Sequence, residues 1–185
     1  EEGFFRIHQP ERFGGFGWDI GMMVRLGAEL GQGCGSSCWI FSNLAVQNWI
    51  LGMNRPEAQE DVWGSDPLAL VASSFPTQGG KVERAEGGLI ANGLWSFASG
   101  VDFADWNNMQ VFVPSESGDG PPEHRFALVP KSDYEIVDDW FSPGLAGTGS
   151  RSIRLDNVFI PEHRTVPSTK LMGGPSPGSA INPGA

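Results

Sequence analysis

The sequence predicts an α+β fold, in which an N-terminal helical segment is followed by an antiparallel β-barrel or sandwich. Residues 1–64 contain apolar positions at helical spacing. Residues 65–168 contain short runs of β-branched and aromatic residues, separated by Gly- and Pro-rich turns. Residues 169–185 are rich in Gly, Pro and Ser, which is typical of a linker. We therefore expect a helical N-terminal domain that is itself partial, a β-domain, and a linker.

The helical segment carries clear start and stop signals. Asp19 is a suitable N-cap for a first helix, which the glycines within 31–35 interrupt. A second helix is predicted to start at Ser36 or Ser37, and because it is apolar nearly all round it should be buried. Pro56 predicts the first turn of a third, shorter helix.

The β-region shows strands at short, regular spacing, which favours antiparallel pairing over alternating βα units. In the last strand, Ile153 and Leu155 alternate with Arg154 and Asp156, so one face should be buried and the other exposed. The predicted strands are residues 68–75, 89–97, 106–113, 125–130, 134–140 and 152–160.

Composition excludes several classes of partner. The net charge is −10 and the pI is near 4.6, which disfavours binding to nucleic acid or to an anionic membrane surface. No apolar run reaches the roughly 20 residues of a membrane-spanning helix. Cys34 and Cys38 are too few for a disulfide scaffold, so we expect reduced, buried thiols in a cytoplasmic protein. Their spacing could suit two metal ligands, but no third ligand lies nearby in sequence.

No catalytic motif stands out by itself. The RFGGFG stretch at 12–17 does not follow a strand, and GLAGTGS at 144–150 lacks the Lys of a phosphate-binding loop and is better explained as a tight turn. Asp102 and Asp105 are predicted to be solvated charges at a strand end, and His163 a surface residue.

The stretch IANGLWSFASG at 90–100 has an unusual composition for a strand. We expect a turn at Asn92–Gly93, followed by a strand in which Phe97 and Ser99 project to the same face. That face would offer a ring for stacking and a hydroxyl for a hydrogen bond. A flat heterocycle with a polar edge would suit it.

Five stretches, taken together and in order, resemble the acyl-CoA dehydrogenase superfamily. They are more similar to its flavin-dependent monooxygenase branch, the oxygenase components of two-component aromatic hydroxylases. That family adds a C-terminal four-helix bundle, which we expect to be missing from this chain. The stretches are QPERFGGFG, GSSCWIFSNLAVQNWILG, ASSFPTQGGKVERAEGGLIANGLWSFASGVDFADW, GLAGTGSRSIRLDNVFIPEHR and LMGGPSPGSAINPGA.

The resemblance implies a chemistry. A separate flavin reductase would supply FMNH₂ or FADH₂, oxygen would add to the reduced flavin, and the resulting flavin hydroperoxide would hydroxylate a small, aromatic substrate. It also implies a homotetramer. Two alternatives stay open: an FAD-dependent acyl-CoA dehydrogenase, and a truncated, non-catalytic β-domain fragment that serves binding or assembly. Phe75 stands where dehydrogenases carry a Glu, which favours the monooxygenase branch.

The same resemblance assigns the catalytic role to Ser99. Its hydroxyl would hydrogen-bond the flavin ring nitrogen beside the reactive carbon and slow the loss of that nitrogen's proton. Phe97 falls where the family has a Trp that packs on the ring.

Further cofactor contacts are implied at other positions. Ser74 and Thr77 would bind the pyrimidine edge of the flavin, and Trp39 would lie beside the flavin or the substrate, unless it is simply a core Trp. Ser150 and Arg151 would lie near the cofactor's phosphate side or a subunit boundary.

Overall fold

The computed structural model describes residues 3–75, 79–116, 119–172 and 175–182. Within them, three α-helices precede eight β-strands. The helices are α1 Ile20–Gly33, α2 Gly35–Gly52 and α3 Pro56–Trp63. The strands are β1 Val71–Ser74, β2 Lys81–Ala85, β3 Gly88–Ala98, β4 Trp106–Val113, β5 Glu123–Pro130, β6 Glu135–Val137, β7 Arg151–Pro161 and β8 Thr165–Pro167.

The helix starts follow from local chemistry. The Asp19 side chain accepts a hydrogen bond of 2.8 Å from the Gly21 amide, which confirms the predicted N-cap. Helices α1 and α2 are separated by a single extended residue, Cys34, so α2 begins at Gly35, slightly earlier than predicted. Pro56 opens α3 as expected.

The prediction of buried thiols was wrong. Cys34 is exposed because it lies at the junction of the two helices, and Cys38 is half-buried, with its Sγ donating to the Gly27 carbonyl at 3.1 Å. Both cysteines are free, as predicted. The prediction that α2 is buried all round was also too strong, since Phe41 and Leu44 are buried but Trp39 is 50% exposed.

The strands form two four-stranded sheets that pack face to face. One has the order β1-β4-β5-β8 and the other β2-β3-β7-β6, and a shared apolar core contains side chains from both. Trp95 lies at its centre, fully buried, and its Nε1 donates to the Gln110 carbonyl at 2.8 Å. Ile153 and Leu155 are also buried, which confirms the alternation predicted for β7.

One strand pair departs from the predicted antiparallel arrangement. Strands β1 and β4 pair in parallel, with Val71 opposite Trp106. The chain passes from β1 through the β2–β3 hairpin of the other sheet before it returns as β4, and such a crossover allows parallel pairing. Two strands were not predicted, because β2 is mostly charged or exposed and β8 has only three residues.

The turn predicted at Asn92–Gly93 is not there. Strand β3 runs without interruption through both residues, and the hairpin turn lies at Glu86–Gly87. Instead, a shift in the β3–β7 register occurs between Ala91 and Gly93, where Gly93 adopts a φ of 120°. The glycine therefore permits a bulge within a strand.

Part of the segment predicted as a linker, residues 175–182, packs against the helices. The Asn182 side chain donates to the Gly52 carbonyl at 2.7 Å and to Gln59 Oε1 at 2.9 Å, and Asn182 is buried. Residues 175–182 thus cover the junction between α2 and α3. No helix within the described ranges is long and apolar enough to cross a membrane.

An ion-pair cluster joins α3 to the chain after β7. Asp61 Oδ2 accepts hydrogen bonds from His163 Nε2 at 2.8 Å and from Arg164 Nε at 2.6 Å. Burial acts to raise the pKa of Asp61, but the hydrogen bonds and charges of His163 and Arg164 together lower it. His163 is thus a partly exposed partner of Asp61 and holds the helical segment to the β-domain.

Replacing Asp61 by Asn should lower the free energy of unfolding by about 1–2 kcal/mol at pH 7, because two charge-assisted hydrogen bonds are weakened. Since folding lowers the pKa of Asp61, this stabilisation is complete above the ordinary carboxyl pKa of about 3.9 and is lost as the pH falls through the lowered value. Urea denaturation of both proteins between pH 7 and about pH 3 measures it. A difference that does not shrink on acidification, or that Glu60→Gln on the same helix reproduces, would contradict this assignment.

Candidate functional site

A cavity of about 430 Å³ lies between α2, the ends of β1 and β3, and the loop that precedes β7. We call it the α2 cavity. None of its described lining residues is charged; they are aromatic, aliphatic or neutral polar. They are Trp39, Asn43, Val46, Gln47, Ser73, Phe75, Phe97, Ser99, Trp140, Leu145, Thr148 and Ser150.

The α2 cavity brings together five of the residues singled out in the sequence, namely Trp39, Phe75, Phe97, Ser99 and Ser150. Trp39 comes from α2, Phe97 from β3, and Ser99 from the residue after β3 ends. Trp39 Nε1 donates a hydrogen bond of 2.9 Å to Ser99 Oγ. Ser99 is buried, whereas the two rings are half-exposed. Trp39 is therefore not a core tryptophan, which was the alternative left open.

A chain of hydroxyl groups extends from Ser99 into the wall of the cavity. Ser99 Oγ lies 2.7 Å from Ser150 Oγ, which lies 2.6 Å from Thr148 Oγ1. Thr148 Oγ1 in turn donates to the Leu145 carbonyl at 2.9 Å. Ser150 thus lies beside Ser99 in the same cavity. Thr148 was missed, although the hydroxyls two residues apart in the GTGS turn were a signal for it.

Phe97 reaches the cavity through a backbone irregularity. Its φ is 62°, in the left-handed region that L-residues avoid, and the β3–β7 register shifts between Trp95 and Ala98. The Ser99 amide donates to the Phe97 carbonyl at 2.9 Å, which closes a tight turn. Phe97 and Ser99 therefore share a cavity as predicted, but through this irregularity and not through regular period-two alternation. The Phe97 ring meets Trp140 edge to face, with centroids 6.2 Å apart.

Because of the strain at Phe97, glycine should be better tolerated than alanine at this position, the reverse of the order at an ordinary strand position. Phe97→Gly should be more stable to unfolding than Phe97→Ala by about 1 kcal/mol, because glycine adopts a positive φ without penalty and both variants lose the same ring. Chemical denaturation of the two variants measures the difference. At an ordinary strand position the alanine variant would be the more stable of the two. If Phe97→Ala were more stable than Phe97→Gly, the left-handed backbone at this position would be contradicted.

The structure places Ser74 outside the α2 cavity. Ser74 is fully buried, and its Oγ has no hydrogen-bond partner among the described residues. Because side chains alternate along a strand, its neighbour Ser73 points to the cavity instead, and Ser73 Oγ donates to Asn43 Oδ1 at 3.2 Å. Thr77, the other residue predicted at the pyrimidine edge, lies outside the described residues.

Arg151 also lies away from the cavity lining. Its guanidinium pairs with Asp102 at 3.0 Å and with Asp138 at 3.3 Å. Asp105 accepts a 2.9 Å hydrogen bond from the Leu70 amide. The prediction that Asp102 and Asp105 are solvated charges at a strand end is confirmed for Asp105, which is exposed just before β4. Asp102 is only half-exposed and is paired with Arg151.

Two amide side chains that line the cavity, Asn43 and Gln47, were not predicted as site residues, and neither was Asn108, which contacts Gln47. Asn108 Nδ2 donates to Gln47 Oε1 at 2.9 Å, while Asn108 Oδ1 is buried without a partner among the described residues. Asn43 and Gln47 lie on α2, whose mostly apolar sequence predicted a buried helix and not a polar site. No group of three His, Cys, Asp or Glu within the described part of the chain could hold a metal ion.

A second cavity, of about 620 Å³, lies on the other side of Thr148, which lines both. We call it the Cys34 cavity. Its apolar wall includes Phe5, Ile40 and Leu70, and Cys34 lies on its rim. Hydrogen bonds from the Ser37 side chain and amide and from the Ser36 amide lower the pKa of the Cys34 thiol.

No protein-family model matches the chain. Among curated proteins, it is 39% identical over 177 residues to the oxygenase component of the FADH₂-dependent resorcinol hydroxylase of Rhizobium sp. (strain MTP-10005), covering 95% of this chain and 42% of that protein. It is 34% identical to the oxygenase component of p-hydroxyphenylacetate 3-hydroxylase of Acinetobacter baumannii, covering 99% of this chain and 43% of that protein.

Solved structures give the same result. The 3-HSA hydroxylase from Rhodococcus sp. RHA1 superposes with a TM-score of 0.91 at 35% identity, covering 97% of this chain and 47% of that one. XiaF from Streptomyces sp., solved with FADH₂ and glycerol, superposes with a TM-score of 0.82 at 27% identity, covering 89% and 41%. The chain thus spans less than half the length of these relatives. It belongs to the family of flavin-dependent monooxygenase oxygenase components, with their acyl-CoA dehydrogenase-like fold, as the sequence predicted.

Proposed function

We propose that this chain is part of the oxygenase component of a two-component flavin-dependent monooxygenase. It would receive reduced flavin from a separate reductase and use molecular oxygen to hydroxylate a small aromatic substrate. The observation that carries this proposal is the meeting of Trp39, Phe97 and Ser99 in one neutral cavity. The relatives named as resorcinol and p-hydroxyphenylacetate hydroxylases favour a phenol as substrate.

The α2 cavity fits the flat ring of a flavin. Its volume of about 430 Å³ lies within the usual range of small-molecule pockets. Its half-exposed Phe97 ring is available for stacking. Asn108, which donates to the lining residue Gln47, carries a buried acceptor, Oδ1, without a partner among the described residues. The strained backbone at Phe97 is typical of a functional position.

Residues can be assigned to the ring from these positions. Phe97 would stack on it, Ser99 would hydrogen-bond its central nitrogen, and Asn43 with Ser73 would supply polar contacts in place of Ser74. Thr77 stays a prediction. A resorcinol hydroxylase relative is named as FADH₂-dependent, and XiaF was solved with FADH₂, so we favour FADH₂ over FMNH₂.

Reduced flavin, when bound, supplies the electrons that activate oxygen. The contribution of this chain is to hold a proton and to exclude water. Ser99 is buried at the inner end of the cavity, where a hydrogen bond is stronger than in water and would keep a proton on the ring nitrogen. Trp39 both orients Ser99 through its Nε1 and shields it.

The dehydrogenase alternative is less well supported. Removal of a proton from an acyl thioester needs a base, and none of the described residues that line the α2 cavity carries a carboxylate. The third possibility is a non-catalytic fragment. The chain spans less than half the length of these relatives, so flavin binding and product formation have to be measured separately.

We further infer a homotetramer in the cytoplasm, on the basis of the family resemblance. The half-exposed rings of Trp39 and Phe97 are consistent with a site that additional protein closes. The free thiols of Cys34 and Cys38 are consistent with a reducing compartment.

The direct test has two stages. The chain is first titrated with FADH₂ under anaerobic conditions, and we expect saturable binding. It is then mixed with a flavin reductase, NADH, FAD, oxygen and resorcinol, and hydroxylated product is measured against hydrogen peroxide. Binding without product would support the fragment alternative. Bleaching of bound FAD by an acyl-CoA would support the dehydrogenase. Absence of FADH₂ binding would contradict the proposal.

A further inference from the structure

The hydroxyl chain in the wall of the α2 cavity has a defined direction. Thr148 Oγ1 lies 2.9 Å from the Leu145 carbonyl oxygen, and a carbonyl oxygen can only accept. The single hydroxyl proton of Thr148 is therefore committed to Leu145, since otherwise two sets of lone pairs would face each other at that distance.

This commitment sets the two remaining hydroxyls in turn. Ser150, 2.6 Å from Thr148, has to donate its proton to Thr148 Oγ1. Ser99, 2.7 Å from Ser150, then has to donate its own proton to Ser150 Oγ. All three side chains are more than nine-tenths buried, so water does not readily replace these partners.

Trp39 reinforces the same direction. An indole N–H can only donate, and Trp39 Nε1 donates to Ser99 Oγ at 2.9 Å. Ser99 thus has no proton left to give, and it retains one lone pair. Towards the cavity, Ser99 is an acceptor only.

We propose that Thr148 and Ser150 are positioning residues that hold Ser99 as an acceptor and thereby make the α2 cavity selective for reduced over oxidised flavin. The inference rests on the proposed function. A reduced flavin carries an N–H on N5, the nitrogen of the central ring beside the reactive carbon, and an acceptor can bind this N–H. The oxidised ring has a bare nitrogen at the same place, and its lone pair would face that of Ser99.

Such selectivity has a use in a two-component enzyme. The reduced flavin arrives by diffusion and has to compete with oxidised flavin, which has nearly the same shape. A site cannot distinguish these two forms by size. A hydroxyl that can only accept a hydrogen bond, and cannot turn to donate one, disfavours binding of the oxidised form.

The test compares the dissociation constants of FAD and FADH₂, the latter measured anaerobically. In the chain without substitutions, FADH₂ should bind more tightly. Ser150→Ala and Thr148→Val each remove one acceptor from the hydroxyl chain, so Ser99 regains a proton to offer oxidised FAD. We expect the ratio of the two constants, oxidised to reduced, to fall by roughly tenfold in both variants.

The matched control is Thr148→Ser, which keeps the hydroxyl at the end of the chain and should keep the ratio within about twofold of the original. A purely structural role for Ser150 or Thr148 would weaken both forms of flavin in parallel and leave the ratio unchanged. That result, with binding retained, overturns this inference alone, as does equal affinity of the unsubstituted chain for FAD and FADH₂. If the unsubstituted chain binds neither form, the proposed function fails as well. The two variants carry the test independently if either of them does not fold.

Discussion

Replacing Ser99 by alanine should divert the reaction from hydroxylated product to hydrogen peroxide. The ratio of product to peroxide is expected to fall at least about tenfold, because a hydrogen bond of roughly 1.5–3 kcal/mol is lost in a buried site. Binding of FADH₂ should weaken by a similar factor at most, because the same hydrogen bond is lost while stacking on Phe97 remains. The measurement is product and peroxide together, in the presence of a flavin reductase and resorcinol.

Ser96→Ala is the matched control for this experiment. Ser96 lies in β3, which ends just before Ser99. It is also buried and accepts a 3.1 Å hydrogen bond from Ser152, but it does not line the α2 cavity. It should leave the product ratio near that of the unsubstituted chain. Equal ratios in Ser99→Ala and Ser96→Ala would show that Ser99 is not the residue that retains the proton.

Gly93→Ala should be among the most damaging single changes to the fold. Its φ of 120° is unfavourable for any L-residue, and a Cβ at this position would lie 2.3 Å from the Gly79 carbonyl oxygen. Strain and overpacking each cost about 1–3 kcal/mol, so we expect a loss of roughly 3 kcal/mol or more in the free energy of unfolding.

Gly87→Ala separates the two causes. Gly87 also has a positive φ, of 77°, but nothing lies within 4 Å of the position of its Cβ. This variant should lose only about 1–2 kcal/mol, from backbone strain alone. Chemical denaturation of both variants gives the comparison. If Gly93→Ala were no worse than Gly87→Ala, the close approach of residue 79 to β3 would be incorrect.

The parts of the fold that depend on neighbouring residues could be predicted from the sequence. Asp19 and Pro56 mark helix starts through local chemistry within one turn. Strand β7 is recognisable from its alternation of apolar and charged residues. Strand β2 could not be predicted in this way, because most of its residues are charged or exposed. It is a strand because it pairs with β3. The parallel pairing of β1 with β4 likewise depends on contacts distant in sequence.

The candidate site was predictable in its centre and not at its edges. Phe97 and Ser99 were predicted on one face of a regular strand and do line one cavity, but nothing in the sequence indicated the left-handed residue that brings them there. Ser74 and Ser73 were exchanged because a one-residue difference reverses the face of a strand. Thr148 joins Ser99 only through Ser150, across about fifty positions of sequence, so composition alone could not connect them.

A crystal structure of the chain with FADH₂, grown without oxygen, tests the assignment of the α2 cavity most directly. We expect the flavin ring between Trp39 and Phe97, with its central N–H within about 3.2 Å of Ser99 Oγ. A ring bound in the Cys34 cavity, beside Phe5 and Leu70, or on the outer surface, with the α2 cavity left free, would contradict it.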